Sequence, residues 1–212
     1  MSNLDGKTLV VIGDSLIYGN KLGNEATWPN KLAKKHGMTV FNHGINGNTL
    51  AKQDREVKHD PMCVRYASME DGADYVVVLG GANDKRLDVP IGENDSDDIY
   101  TFKGALNTII LGITAKYPKA KFLFLTNYDR WPSKNALGIS DIDYVEAMKE
   151  ICARWAMPCF DNYHCSGISF RNPAQLAWAD EGVTLGLAPN HHFSDEAYDY
   201  LLTRYESLLE SL

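Results

Sequence analysis

Thr8-Leu9-Val10-Val11-Ile12-Gly13-Asp14-Ser15-Leu16-Ile17-Tyr18-Gly19 is the stretch that decides how this chain folds. An uninterrupted apolar run, rich in β-branched residues, breaks off at Gly-Asp-Ser. A run with no polar alternation has no face to give to solvent, so it reads as a strand buried on both sides within a parallel sheet. Its carboxyl end delivers Ser15 into a turn, and ligands of open α/β sheets bind beyond the carboxyl ends of the strands. Taken alone, Gly-Asp-Ser equally describes a turn that caps the next helix, because Asp and Ser favour both positions.

Strand-like and helix-like segments alternate outward from this stretch. Thr27 to Gly37 carries a candidate N-cap, Pro29 in the first turn, lysines in the last turn and a closing glycine, which together predict a helix. Met38 to Asn42 reads as a second strand feeding the Gly- and Asn-rich turn His43 to Thr49, and Pro61 to Met69 reads as helical. Tyr75 to Leu79 is a buried strand ending in Gly80-Gly81-Ala82-Asn83-Asp84, followed by an acidic loop over 85–97. Asp98 to Tyr117 spaces Ile99, Phe102, Leu106, Ile109, Ile110 and Ile113 as a helix, and Lys121 to Thr126 is a fourth strand. Ser140-Asp141-Ile142-Asp143 has the form of a capping box, Met157 to Asp161 is a short fifth strand, and Ser194 caps a final amphipathic helix. The stretch between Asn162 and His192 lacks periodicity. These elements predict an α/β fold in one domain over 1–212: a three-layer α/β/α sandwich around a five-stranded parallel sheet.

Composition narrows the partners. The 212 residues are 44% hydrophobic and 23% charged, as in an ordinary globular protein. A net charge of −7 without a basic stripe argues against nucleic acid or an anionic membrane as partner. No run reaches membrane-spanning length, and the first residues lack a basic segment followed by an apolar one. The four cysteines, Cys63, Cys152, Cys159 and Cys165, show no CxxC spacing, so the expectation is a reduced, cytoplasmic protein. Trp28, Trp155 and Phe160 read as core, His36 and His59 as surface, and Trp131 and Trp178 as site walls.

Chemistry-bearing residues follow three successive strands: Ser15 the first, Gly47 the second and Asn83 the third, with His191-His192 before the last helix. Loops after parallel strands emerge at one edge, so these positions converge despite their separation. Acyl transfer by a serine needs a hydroxyl, a base and donors aimed at the developing oxyanion. Ser15 supplies the hydroxyl and its own N–H, Gly47 a second N–H, and the Asn83 amide a third donor. A histidine is the base that titrates nearest neutrality.

These blocks resemble those of the SGNH (GDSL) hydrolase superfamily of serine esterases and acylhydrolases. Gly13-Asp14-Ser15 matches the first block, the glycine of Ile45-Asn46-Gly47-Asn48-Thr49 the second, and Gly81-Ala82-Asn83-Asp84 the third. His192-Phe193-Ser194-Asp195-Glu196 fits the histidine side of the fifth. The resemblance implies a flavodoxin-like fold and a carboxylic ester hydrolase acting on an O-acetyl or other short to medium acyl group. It also implies an acyl-enzyme on Ser15, an oxyanion hole from Ser15, Gly47 and Asn83, and His192 as base, with no cofactor or metal. The expected partner is a small-molecule ester, an acylated carbohydrate among the candidates.

One position departs from the family. The residue three before His192 is Pro189, where the family carries the acid that orients the imidazole. Asp180 reaching back, the Pro189 carbonyl or Asn190 side chain acting in its place, and an SGNH-fold binding module without turnover all remain open. Zinc on His191-His192 with His164 and Cys165 is disfavoured, because adjacent histidines are poorly placed to share one ion. A phosphate-binding flavodoxin-like site is disfavoured too, since Asp14 would repel the anion.

Overall fold

The computed structural model describes residues 2–129, 133–178 and 192–212. Its frame is one parallel sheet in the order β2-β1-β3-β4-β5, formed by β1 (Thr8–Gly13), β2 (Thr39–Gly44), β3 (Tyr75–Leu79), β4 (Lys121–Leu125) and β5 (Cys159–Phe160). Alternate residues of the central strands enter opposite cores. Leu9, Val11, Tyr75 and Val77 pack under α2 (Trp28–His36) and the C-terminal helix, while Val10, Ile12, Val76 and Val78 pack under α3 (Met62–Arg65), α5 (Phe102–Lys116) and α6 (Asp141–Arg154). Burial on both faces is why these strands carry no polar alternation. The three-layer reading therefore holds.

Boundaries differ where polar side chains act. The helix expected from Asp98 begins at Phe102, because Thr101 takes the N-cap position and accepts a hydrogen bond from the Gly104 N–H. The helix expected over Pro61 to Met69 is α3 followed by a 3-10 turn at Tyr66–Ser68. Strand β2 runs two residues past Asn42, in register with β1 as far as Gly13↔Gly44. That extension requires glycine: a Cβ on Gly44 would lie 2.1 Å from the Tyr18 backbone nitrogen. The capping box at Ser140 and Asp143 is present. The acidic loop is less free than its composition suggests. Buried Asn107 donates to the carbonyls of Asn94 and Ser96 and accepts from the Trp155 indole, so this part of 85–97 lies against α5.

Trp28 is fully buried, Trp155 and Phe160 partly so. His36 is a correction to the surface expectation. Its side chain is 9% exposed and lies 2.8 Å from Asp5 and 2.6 Å from Glu206. Burial works against the imidazolium, yet the hydrogen bonds to both acids outweigh it and raise the His36 pKa. A raised folded pKa gives stability that is full below the unfolded value of about 6.5 and lost as pH rises through the folded one. His36→Gln is therefore expected to lower urea stability more at pH 6 than at pH 9. An equal cost at both would show that packing, not charge, holds this residue.

Candidate active site

Sheet order places the site. The chain leaves β1 toward β2 on one side and β3 on the other, so the loops after β1 and β3 flank the topological switch point. Ser15 opens the short helix α1 (Ser15–Tyr18), and Asn83 lies in α4 (Ala82–Arg86). Asp14 caps α1, its carboxylate accepting from the Leu16 N–H at 2.9 Å. The capping role of Gly-Asp-Ser and its role as a serine-presenting turn thus coexist. The first N–H groups of a helix have no intrahelical acceptor, and Ser15, the first residue of α1, carries one of them.

His192 meets Ser15 across the crevice, with Nε2 2.9 Å from Oγ. Packing holds this histidine's neighbours in place. Phe193 is buried against Tyr128, Phe170 and Tyr198. Ser194 N–H donates to the Trp178 carbonyl, while its side chain caps the last helix, α8 (Asp195–Glu210), after α7 (Asn162–Cys165). Tyr198 of α8 donates to the Leu16 carbonyl at 2.8 Å, tying the helix behind His192 to the turn that bears Ser15. The Trp178 ring stacks on Tyr200 of the same helix.

Asn83 joins the other two blocks. Its Nδ2 lies 3.1 Å from the Asn48 carbonyl, beside Gly47, and 3.4 Å from Asp14 Oδ2, beside Ser15. Arg86 Nε and Nη2 both donate to Asn83 Oδ1, which fixes the amide with its nitrogen toward Ser15 and Gly47. Gly47 adopts φ +73, the left-handed backbone that glycine enters at least cost. Ser15, Gly47, Asn83 and His192 are thus gathered at one sheet edge. Asp180, Pro189, Asn190, His191 and Trp131 lie outside the described residues.

Two residues to which the sequence reading gave no role hold this arrangement. Fully buried Asp84 accepts the N–H groups of Leu50 and Ala51 at 3.0 and 2.9 Å, fastening the loop after Gly47 to α4. Burial pushes its carboxyl up to about 7, against those two bonds, which favour the carboxylate. Arg65 donates to the carbonyls of Gly13 and His43 and to Asn48 Oδ1 at 2.7–2.8 Å. Burial lowers its pKa to about 10, with the Asp14 charge opposing the shift. The Asn83-Asp84 pair would have been readable as donor plus anchor. Nothing near Arg65 in sequence signals its contacts.

Elsewhere, Glu146, Asp161 and His164 bring ligand-type atoms within 4.8 Å of one another. Lys149 Nζ already sits 2.9 Å from both acids, so the group is a complete ion-pair cluster. Asp129 instead holds the 166–178 segment, through Ser169 and Arg171.

Residues 11–200 match the family model of the GDSL-like lipase/acylhydrolase family. Among curated proteins none matches the chain. One crystal structure is 32% identical and superposes with a TM-score of 0.87, covering 99% of this chain and 98% of the other. A protein from Lactobacillus plantarum is 26% identical at TM-score 0.85, with 99% of each chain covered. The M. smegmatis aryl esterase is 18% identical at 0.69, covering 98% and 100%, and shares the fold.

Asp84→Ala would strip the acceptors from two buried N–H groups. Each unpaired buried donor costs on the order of 1–3 kcal/mol, so a loss of at least about 2 kcal/mol is expected in urea unfolding. A loss under about 0.5 kcal/mol would mean that Asp84 does not fasten the loop.

Proposed function

The chain belongs to the GDSL-like lipase/acylhydrolase family of carboxylic ester hydrolases, and from that premise we propose that it works through an acyl-enzyme on Ser15. The observation that carries this reading is the 2.9 Å contact between Ser15 Oγ and His192 Nε2. With its proton on Nδ1, the imidazole accepts the Ser15 proton as Oγ attacks the ester carbonyl. The carbonyl oxygen takes up the negative charge and turns to the N–H groups of Ser15 and Gly47 and to Asn83 Nδ2. The long 3.4 Å contact from Asn83 to Asp14 is the bond this amide gives up to do so. Collapse of the intermediate breaks the bond to the leaving alkoxide, which takes the proton from His192. Water, deprotonated by the same imidazole, then attacks the acyl carbon and releases Ser15 and the acid.

The substrate we propose is a small ester with a short or medium acyl group and a polar alcohol portion, an acylated carbohydrate being one such compound. Asn46, Asn48, Thr49 and Gln53 wall the cavity beside Gly47, which favours a polar body over a long lipid chain.

Intact mass after a fluorophosphonate probe tests the mechanism. One adduct on wild type and none on Ser15→Ala is expected. An unmodified wild type would overturn the nucleophile and favour a binding module, with Pro189 marking the departure. Asn83→Ala should lower kcat by roughly 10²–10³ on a chromogenic ester if its amide meets the oxyanion. A change below about tenfold would remove it from the mechanism.

A further inference from the structure

A trough beside the oxyanion loop is lined by cations that lack carboxylate partners. One cavity of about 310 Å³ runs from Gly47 past Arg55, Lys58, His59 and Arg86, with Glu56 as its acid. A second, of about 360 Å³, shares Gln53, Arg55 and Leu87 with the first and continues to Lys52 and Tyr100, with Asp54 and Asp88 as its acids. The excess lies in the first cavity, where Arg55, Lys58 and Arg86 face Glu56 alone, against a charge of −7 for the protein as a whole.

Ion pairs occupy many of the cations elsewhere on the surface. Lys7, Lys31, Lys35, Lys103, Lys116 and Lys149 each have a carboxylate within 3.3 Å. Among the described residues, Arg55, Lys58 and Arg86 have none within ion-pair distance, although Asp54, Glu56, Asp60 and Asp88 are close in sequence. Arg55 is steered by its Nε bond to Gln53 Oε1 at 2.7 Å. Arg86 spends Nε and Nη2 on Asn83 Oδ1, and its Nη2 would lie 3.6 Å from a Cβ on Gly47. A guanidinium so close to the proposed oxyanion donors, with two more cations along one trough, suits an anionic oxygen group held a few bonds from a scissile ester.

We infer that this trough is a specificity subsite for an anionic group, a carboxylate, phosphate or sulfate, borne by the ester substrate. The inference rests on the hydrolase reading and adds the charge of the substrate to it. Arg55 and Lys58 bind the group directly, while Arg86 links the subsite to Asn83. Leu87, Val89, Pro90 and Tyr100 offer the apolar wall for the carbon skeleton between the two ends.

Two pairs of esters test it and separate the two ends of the substrate. 3-Acetoxybenzoate against 3-acetoxybenzamide places the charge on the alcohol side, and the 4-nitrophenyl monoester of adipate against 4-nitrophenyl hexanoate places it on the acyl side. In wild type, one anionic ester is expected to exceed its neutral partner in kcat/KM by about tenfold, mainly through KM, as one or two charge-assisted hydrogen bonds would give. That ratio should shrink with added salt and fall to about threefold or less in Arg55→Gln/Lys58→Gln. Turnover of the neutral esters with no anionic preference in either pair overturns the subsite and leaves the hydrolase intact. If no ester is turned over, the hydrolase reading fails and calorimetry on Ser15→Ala decides the subsite. Tighter binding of 3-acetoxybenzoate than of its amide, lost in the double charge variant, supports it, and equal binding overturns it.

Discussion

At the carboxyl edge of the sheet the strands give way to loops, and one guanidinium ties the ends of two of them together. Arg65 donates to Gly13 at the end of β1, to His43 near the end of β2 and to the Asn48 side chain in the next loop. Hydrogen bonds from a charged donor contribute about 1.5–3 kcal/mol each, enough to offset much of the cost of burying the cation. The nearby negative charge of Asp14 opposes the lowering of the Arg65 pKa by burial. The same carboxylate caps α1. The turn that presents Ser15 and the loop that presents Gly47 are therefore held to one another by a residue that reaches neither Ser15 nor Gly47.

The third block is organised on the same logic, with each polar side chain given one partner set. Asn83 spans from Asn48 to Asp14, Asp84 pins Leu50 and Ala51 from beneath, and Arg86 sets the Asn83 amide. A donor aimed at a developing charge is effective only when it needs no reorganisation at the moment of reaction. Here rigidity comes from buried hydrogen bonds whose loss would leave N–H groups unpaired. Stability and preorganisation are one set of contacts.

What the sequence disclosed follows from the range of the interactions. Strands β1 and β3 were legible because burial on both faces writes itself into every residue, and the Ser140 capping box because its two partners stand three residues apart. Local polar competition shifted other boundaries: Thr101 stops α5 short of Asp98, and Asn42, which donates to the Ile17 carbonyl, lies inside a strand read as ending there. His36 looked like one more basic residue in a helix's last turn. Its burial depends on Asp5 and Glu206, one before β1 and the other near the C-terminus. Arg65 was invisible for the same reason, since its acceptors are backbone and side-chain atoms 17 to 52 residues away.

Packing of its neighbours is one part of how His192 is placed. An orienting acid does two separable things, fixing the tautomer of the imidazole and stabilising the imidazolium once formed. Neither is the same as placing the ring. Packing contributes through Phe193, sunk among Tyr128, Phe170 and Tyr198, through Ser194 at the head of α8, and through Tyr198 gripping Leu16. These contacts are apolar or neutral and belong to the same core that holds Ser15. In the proposed mechanism, Pro189 in place of an acid bears on rate through tautomer and charge. The core beneath Ser15 and His192 supports the contact between them.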